Sequence, residues 1–343
     1  MVGIITALVI VLAIIALTQV VKVYETSSAL EENRNNDVSH KDNNTQGRLF
    51  LAFGILFMAS FVAMIWAWGD LTLGTPGSEH GADYDFLWDL SMGTIILVFV
   101  LVQPILFYFA YKYRGVKGRT ATYYEHNNTL EFIWTIIPAV ALAVLITFGL
   151  YTWSNVMTPD NSEQEPIVVE VFAEQFKWTA RYSGEDNQLG YANVRFIEGA
   201  NSLGIDKSDD KGFDDIVVRD GLVLPKGRPV LFKFRSKDII HSAFMPHFRA
   251  QMNCVPGMST QFQFTPSLTT AEMRQDAGII EKVNRINAIR AEAGKDAYEF
   301  DYVLLCNKIC GASHYNMRFP ITVVTPEEYD EWISEQTTFA EAQ

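Results

Sequence analysis

A chain of 343 residues that is 49% apolar and yet carries a formal net charge of −13 at pH 7 must hold its apolar and charged residues in separate places. Its length suits about two structural units, and the acidity argues against nucleic acid as a partner and suits docking of a basic protein. No Cys-x-x-Cys-His is present, which excludes a c-type haem fused to the chain.

The apolar residues concentrate before Trp153 and the acidic ones after it, so a membrane half is expected to precede an acidic water-soluble half. Four apolar runs, at residues 2–21, 49–68, 90–111 and 132–153, match the roughly twenty residues that a bilayer core requires. The first lacks the basic n-region of a cleaved signal peptide and reads as a retained helix. Between the third and fourth runs lie Lys112, Arg114, Lys117 and Arg119, so that loop is expected to be cytoplasmic. The 69–89 loop has Asp70, Glu79, Asp83, Asp85 and Asp89 with no Lys or Arg, and is expected outside. Four spans then place the N-terminus and everything after Trp153 on the outer side. The 22–48 loop is mixed in charge and Asn-rich, and reads as a mobile inner loop. Pro104 and Pro138 fall inside spans, where neighbouring helices can satisfy the freed carbonyls.

Beyond Pro166 the pattern shortens to alternating runs. Residues 167–172, 229–234, 261–264, 300–305 and 321–324 read as strands, with turns at Leu224-Pro225-Lys226-Gly227 and Val255-Pro256-Gly257. Such spacing suggests a sandwich or barrel. Two stretches look like insertions. Residues 190–215 are polar and acidic. Residues 269–297 read as one helix with a Thr269/Glu272 capping box and Ile279, Val283 and Ile286 on one face; packing on the core is the favoured role, bracing of the metal end or a partner contact the alternatives. The tail at 326–343 reads as an acidic surface helix around Tyr329 and Trp332. The expected divisions are 1–48 and 49–89, each a span with its following loop, 90–157 for a hairpin of spans, 158–325 for the β-domain, and 326–343 for the tail.

The chemistry concentrates in Cys306-Asn307-Lys308-Ile309-Cys310-Gly311-Ala312-Ser313-His314-Tyr315-Asn316-Met317. Two thiols, an imidazole and a thioether within a dozen residues form a soft ligand set that favours copper. A Cys306–Cys310 disulfide and a structural zinc remain open on the Cys-x-x-x-Cys alone, although tetrahedral zinc does not need the methionine. One more imidazole completes a two-metal set, and His241 lies upstream. Cys254 reads as a buried small residue, His247 as a barrel-surface residue, and His40 and His80 as loop residues.

This arrangement resembles subunit II of the haem-copper cytochrome c oxidases, over about residues 90–324. The family's Cys-x-x-x-Cys-x-x-x-His-x-x-Met plus one upstream His binds the dinuclear CuA centre. The resemblance thus implies His241, Cys306, Cys310, His314 and Met317 as side-chain ligands and the Lys308 carbonyl as the sixth. It also implies a cupredoxin-like Greek-key barrel with the copper loops at one end. At the 308 position the family commonly has a glutamate that helps to bind magnesium at the interface with subunit I. Lys308 cannot ligate magnesium, which wants oxygen, so either other groups hold the ion or the lysine replaces its charge.

Further positions match. Tyr123-Tyr124-Glu125-His126-Asn127-Asn128, followed by Leu130-Glu131-Phe132-Ile133-Trp134, resembles the start of the family's second helix, where a glutamate opens a proton-conducting channel into subunit I; Glu131 matches it. A carboxylate favoured by a helix N-terminus, with Asn128 as N-cap, is a compatible reading. Gln175-Phe176-Lys177-Trp178 resembles the aromatic patch that takes electrons from cytochrome c, with Phe176 where the family usually has tryptophan; the alternative is a core aromatic. Asp238 matches an acid near the docking face.

The resemblance therefore implies an electron-accepting oxidase subunit in a bacterial cytoplasmic membrane. Its CuA domain would lie on the outer side and its partners would be subunit I, with haem and further copper, subunit III, and membrane lipid. The donor is expected to be a c-type haem, held in a membrane complex. Alternatives are an electron-accepting subunit of a nitric oxide reductase and a zinc-stabilised membrane scaffold.

Overall fold

The structure, a computed structural model, describes residues 2–32, 39–159 and 164–342. Four long helices come first: α1 (Val2–Glu32), α2 (His40–Trp68), α3 (Gly81–Lys112) and α4 (Asn128–Met157). The last three are each long and apolar enough to cross a membrane, and Val11–Val23 forms a shorter apolar stretch of α1. Leu56, Ile95 and Ile137 are among many large apolar side chains exposed on these helices. In water that would be untenable; in lipid it is the expected state, because a helix satisfies its own backbone there.

Contacts divide the chain into two units, residues 1–63 with 98–125 and residues 64–97 with 126–343. Within the first, α2 and α3 approach closely where Gly54 leaves room for the Phe107 ring. Phe50, Phe53 and Phe57 surround that ring. Small residues permit such close helix packing where no hydrophobic force separates protein from lipid. The Arg114 guanidinium donates to Asn44 Oδ1 at 2.8 Å and to the Tyr111 carbonyl at 2.7 Å, closing one end of the pair.

The second unit contains ten strands: β1 (Ile167–Glu174), β2 (Lys177–Tyr182), β3 (Ile216–Val218), β4 (Leu222–Pro225), β5 (Val230–Ser236), β6 (His241–Met245), β7 (Ala250–Cys254), β8 (Thr260–Phe264), β9 (Tyr302–Cys306) and β10 (Arg318–Val324). They form two five-stranded sheets ordered β3-β2-β1-β5-β8 and β4-β10-β9-β6-β7. Parallel pairing joins β1 to β5 and β10 to β4, and the other pairs are antiparallel. Period-2 alternation explains the sandwich: Val230, Phe232 and Phe234 point inward from β5, and Tyr302 and Leu304 from β9, all buried. This is the cupredoxin-like domain expected.

Several expectations change. The 69–89 stretch is not one loop, since α3 begins at Gly81 and takes Asp83, Asp85 and Asp89 into its first turns. Helices also occupy the 22–48 region on both sides of residues 33–38, which lie outside those described; His40 opens α2 instead of sitting in a loop. The N-cap of α4 is Asn127 and not Asn128, its side chain accepting from Leu130 N. The 269–297 stretch is two helices, α5 (Thr270–Met273) and α6 (Ala277–Glu292), because Asp276 caps a new start by accepting from Gly278 N and Ile279 N. The capping box at Thr269 and Glu272 is present.

These helices sit at the end of the sandwich remote from Cys306 and Met317. Thr270 Oγ1 accepts from Val323 N at the far end of β10, and Arg274 binds the Phe300 carbonyl and Asp301 ahead of β9. They do not brace the metal loop. Finally, the tail's acidic surface helix is docked through the two aromatics it was read around. In α7 (Pro326–Ser334), Tyr329 is buried and Trp332 meets the Tyr182 ring edge-on, and beyond it Phe339 is buried beside Phe172, Leu203 and Ile205.

Candidate metal centre

Strand pairing brings the distant His241 to the cysteine loop. β6 begins at His241 and β9 ends at Cys306, and their antiparallel register sets Ala243 against Cys306. Cys306 N donates to the Met317 carbonyl at 3.1 Å and Asn307 N to the Ser242 carbonyl at 2.9 Å, which pins both ends of the loop. Within it, Gly311 has φ +136°, and a Cβ there would fall 2.9 Å from the Phe176 ring and 3.0 Å from Gln175 Nε2. Only glycine meets both conditions.

Two matched halves result. Cys306 Sγ lies 3.7 Å from His241 Nδ1 and 3.2 Å from the Lys308 carbonyl oxygen. Cys310 Sγ lies 3.6 Å from His314 Nδ1 and 3.7 Å from Met317 Sδ, and the two sulfurs are 3.8 Å apart. A disulfide would need about 2.05 Å. Ligands about 2.0–2.3 Å from a tetrahedral metal are separated by roughly 3.5 Å, so these spacings fit metal-ligand edges and the donor set suits copper. His241, Cys306 and Cys310 are all buried. Burial, and then the hydrogen bond and charge of Cys306, push the Cys310 thiol up to about 11. Metal loading must therefore displace a proton here.

The surroundings hold the donors in place. Asp238 Oδ1 lies 2.8 Å from His241 Nε2, and Asp238 also accepts from the backbone N–H of Gln175 at 2.7 Å and of Ile239 at 2.7 Å. Burial would raise this carboxyl, but these hydrogen bonds outweigh it and hold the group below the usual carboxylate range. Gln175 Nε2 donates to the Cys310 carbonyl. Trp178 is buried, meets the His241 ring edge-on at 6.1 Å between centroids, and its indole N–H reaches the Met317 carbonyl at 3.4 Å. It is thus not on a surface patch. Phe176 is half-buried against the core next to Gly311.

Other residues fall elsewhere. Glu131 lies in the exposed first turn of α4, and the Lys308 side chain is exposed. Cys254 is buried opposite His241 on β7, and burial pushes its thiol up to about 12, so it acts as a small apolar residue. His247 is partly buried and does not lie on the open barrel surface: it packs edge-on to Phe300 and Tyr302, its Nδ1 is buried, and burial brings it down to about 4. Sequence reasoning missed that Gln175 and Gly311 seat the loop on the β1–β2 turn, and the exposure of Ile309 and Tyr315 beside the proposed ligands, 86% and 87%. The glycine directly after Cys310 was the available signal.

Residues 67–152 match the family profile described as cytochrome C oxidase subunit II, transmembrane domain. The chain is 33% identical over 293 residues to the alternative cytochrome c oxidase subunit 2 of Bradyrhizobium diazoefficiens, covering 85% of this chain and 91% of that one. It is 21% identical to cytochrome c oxidase subunit 2 of Cereibacter sphaeroides, over 70% of this chain and 72% of that one. Among solved structures it is similar to the periplasmic domain of subunit II of cytochrome oxidase of Bradyrhizobium japonicum, with 16% identity and a TM-score of 0.30, over 49% of this chain and 91% of that one.

Proposed function

The chain belongs to the cytochrome c oxidase subunit II family, and we propose that it is the electron-accepting subunit of its oxidase, with His241, Cys306, Cys310, His314, Met317 and the Lys308 carbonyl holding a dinuclear copper centre. One observation carries this reading. The two cysteines stand 3.8 Å apart, each facing the Nδ1 of its own histidine. A single tetrahedral zinc site would use the same four side chains but leave no work for Met317 or the Lys308 carbonyl.

When bound, the copper pair supplies a one-electron couple whose charge is shared over both ions. The protein supplies burial and fixed geometry. The strand pairing on both sides of the loop, the Asp238–His241 contact and the Trp178–Met317 contact each restrain a donor, so little nuclear rearrangement accompanies a change of charge. Phe176 next to Gly311, with exposed Ile309 and Tyr315, forms the face that meets the donor, and Trp178 backs it from within.

In this reading electrons come from a c-type haem outside the cytoplasmic membrane and leave for haem in partner subunit I, where oxygen is reduced; subunit III completes the complex. Glu131, at the start of α4, stands at the mouth of a proton path into subunit I. An ammonium cannot ligate magnesium, so an ion at the subunit I interface would be held by groups other than the Lys308 side chain, or its charge would be replaced by the lysine.

Metal analysis of copper-reconstituted full-length protein tests the proposal. Two coppers per chain, a purple colour and hyperfine structure from two equivalent copper nuclei are expected. One colourless zinc, or sulfurs of Cys306 and Cys310 bound to each other in the loaded protein, would overturn it.

A further inference from the structure

At the end of the β-domain remote from the cysteine loop lies a cavity of about 620 Å³, lined by the outer ends of α3 and α4, residues 71–74, the β6–β7 corner and Lys282 of α6. Its walls differ in character. One is apolar, with Leu71, Leu73, Leu87, Val156 and Phe262. The other gathers basic groups: Arg249, Lys282 and His247.

Of these, Arg249 is neutralised. Its guanidinium grips Asp85 at 2.7 and 2.8 Å and donates to the Gly74 carbonyl at 2.6 Å. Asp85 is not among the lining residues. Lys282 has no hydrogen-bond or ion-pair partner among the described residues. His247 Nδ1 is buried without a hydrogen-bond partner among them. Burial first, then the charges of Lys282 and Arg249, bring that imidazole down to about 4, which places both cations close to it. The basic wall therefore presents one cation unpaired among the described residues, Lys282, while the buried His247 Nδ1 is out of reach of the cavity. Trp153 and Tyr84 also line the space, at the outer ends of membrane-spanning helices where amphipathic aromatics mark the headgroup level.

We propose that this cavity is a binding site for an anionic phospholipid of the outer leaflet, its phosphate set against Lys282 and an acyl chain against Leu71, Leu87 and Val156. A free anion would use only one wall, and a purely apolar occupant would leave Lys282 unpaired. The site is independent of the copper ligands, so the colour of the metal centre reports an intact β-domain in every variant.

Native mass spectrometry of the copper-loaded full chain in detergent tests it, with phosphatidylglycerol, phosphatidylcholine and inorganic phosphate as probes. The wild type is expected to retain one phosphatidylglycerol in preference to phosphatidylcholine, with no displacement by phosphate. Lys282→Glu reverses one charge and should weaken phosphatidylglycerol retention roughly tenfold. Gly149→Leu should lower retention of both lipids, because a Cβ at Gly149 meets nothing within 4 Å and a larger side chain fills the space. Equal retention of the two lipids, retention unchanged in both variants, displacement by phosphate alone, or a partner subunit's side chains filling the cavity in the assembled oxidase would each overturn the proposal.

Discussion

Asp238 shows how a single side chain changes meaning between sequence and structure. As the acid three positions before His241 it reads as donor-facing surface charge. In the fold its carboxylate is 29% exposed and holds His241 Nε2 at 2.8 Å, leaving Nδ1 for the cysteine side. A carboxylate behind a ligand imidazole fixes the ring's tautomer and orientation and raises its basicity. Asp238→Ala is therefore expected to weaken copper retention by about 10–100-fold and to shift the midpoint potential, while Asp238→Asn, which keeps an acceptor, should lose far less affinity. Chelator competition and redox titration would measure both. Loss of donor turnover with unchanged copper affinity and potential would return Asp238 to the docking surface. The proposed metal donors were legible because four of them crowd into twelve residues, with types that restrict the metal. Asp238 was not, because its role depends on a corner between β5 and β6 that no spacing rule encodes.

At the scale of elements, the 190–215 insertion is held by buried charge more than by its own apolar content. Arg181 donates to Glu170 Oε2 at 3.0 Å, Asp215 Oδ2 at 2.8 Å and the Gly190 carbonyl at 2.9 Å. Arg235 binds the same Glu170 and the carbonyls of Ala192 and Leu203. Burial opposes the Glu170 charge, but the two guanidiniums outweigh it and hold its carboxyl below the usual range. Asp215 goes the other way. Burial pushes it up to about 7 against the pull of Arg181, and its Oδ1 has no hydrogen-bond partner among the described residues. A folded-state value raised above the unfolded one means that the folded chain binds more protons between about pH 4 and 7. Its contribution to stability is full below that window and is lost as pH rises through it. Asp215→Asn should flatten this part of the dependence, so its melting temperature relative to wild type should rise from pH 4.5 to pH 7.5; a constant difference would sink the assignment. Acidic composition made this stretch look like solvated loop, since the arginines that bury it lie on β2 and β5. Similarly, a continuous apolar periodicity hid the break at Asp276, and β6 passed unnoticed as a strand because His241-Ser242 interrupts its alternation. The strands that were legible, such as β5, carry Val230, Phe232 and Phe234 at strict period two.

Over the whole molecule, opposite demands are met by segregation. Membrane-spanning helices expose apolar faces, while the acidic surplus behind the net charge of −13 lies mainly on the β-domain. Within the unit of residues 64–97 and 126–343, the segment ahead of α3 is tied to the barrel at several points. Gly77 N donates to the His247 carbonyl at 2.7 Å, Glu79 N to the Thr265 carbonyl at 3.0 Å, Ser267 N to the Gly77 carbonyl at 2.8 Å, and Ser78 Oγ to the Phe248 carbonyl at 2.8 Å. The Arg249–Asp85 pair adds an ion-paired tie, with side-chain exposures of 6% and 22%. Backbone hydrogen bonds position such a segment, but a nearly buried guanidinium penalises its release, because the charge cannot be left unpaired at low cost. Asp85→Ala is therefore expected to destabilise the unit by roughly 2–3 kcal/mol, and Asp85→Ala combined with Arg249→Leu to recover much of that loss by removing the stranded charge. Denaturant unfolding of the detergent-solubilised chain, followed through the purple colour, distinguishes the two. If the double variant were no more stable than Asp85→Ala alone, the pair would be acting through packing of the Arg249 stem, and the tie between α3 and the barrel would rest on the backbone bonds.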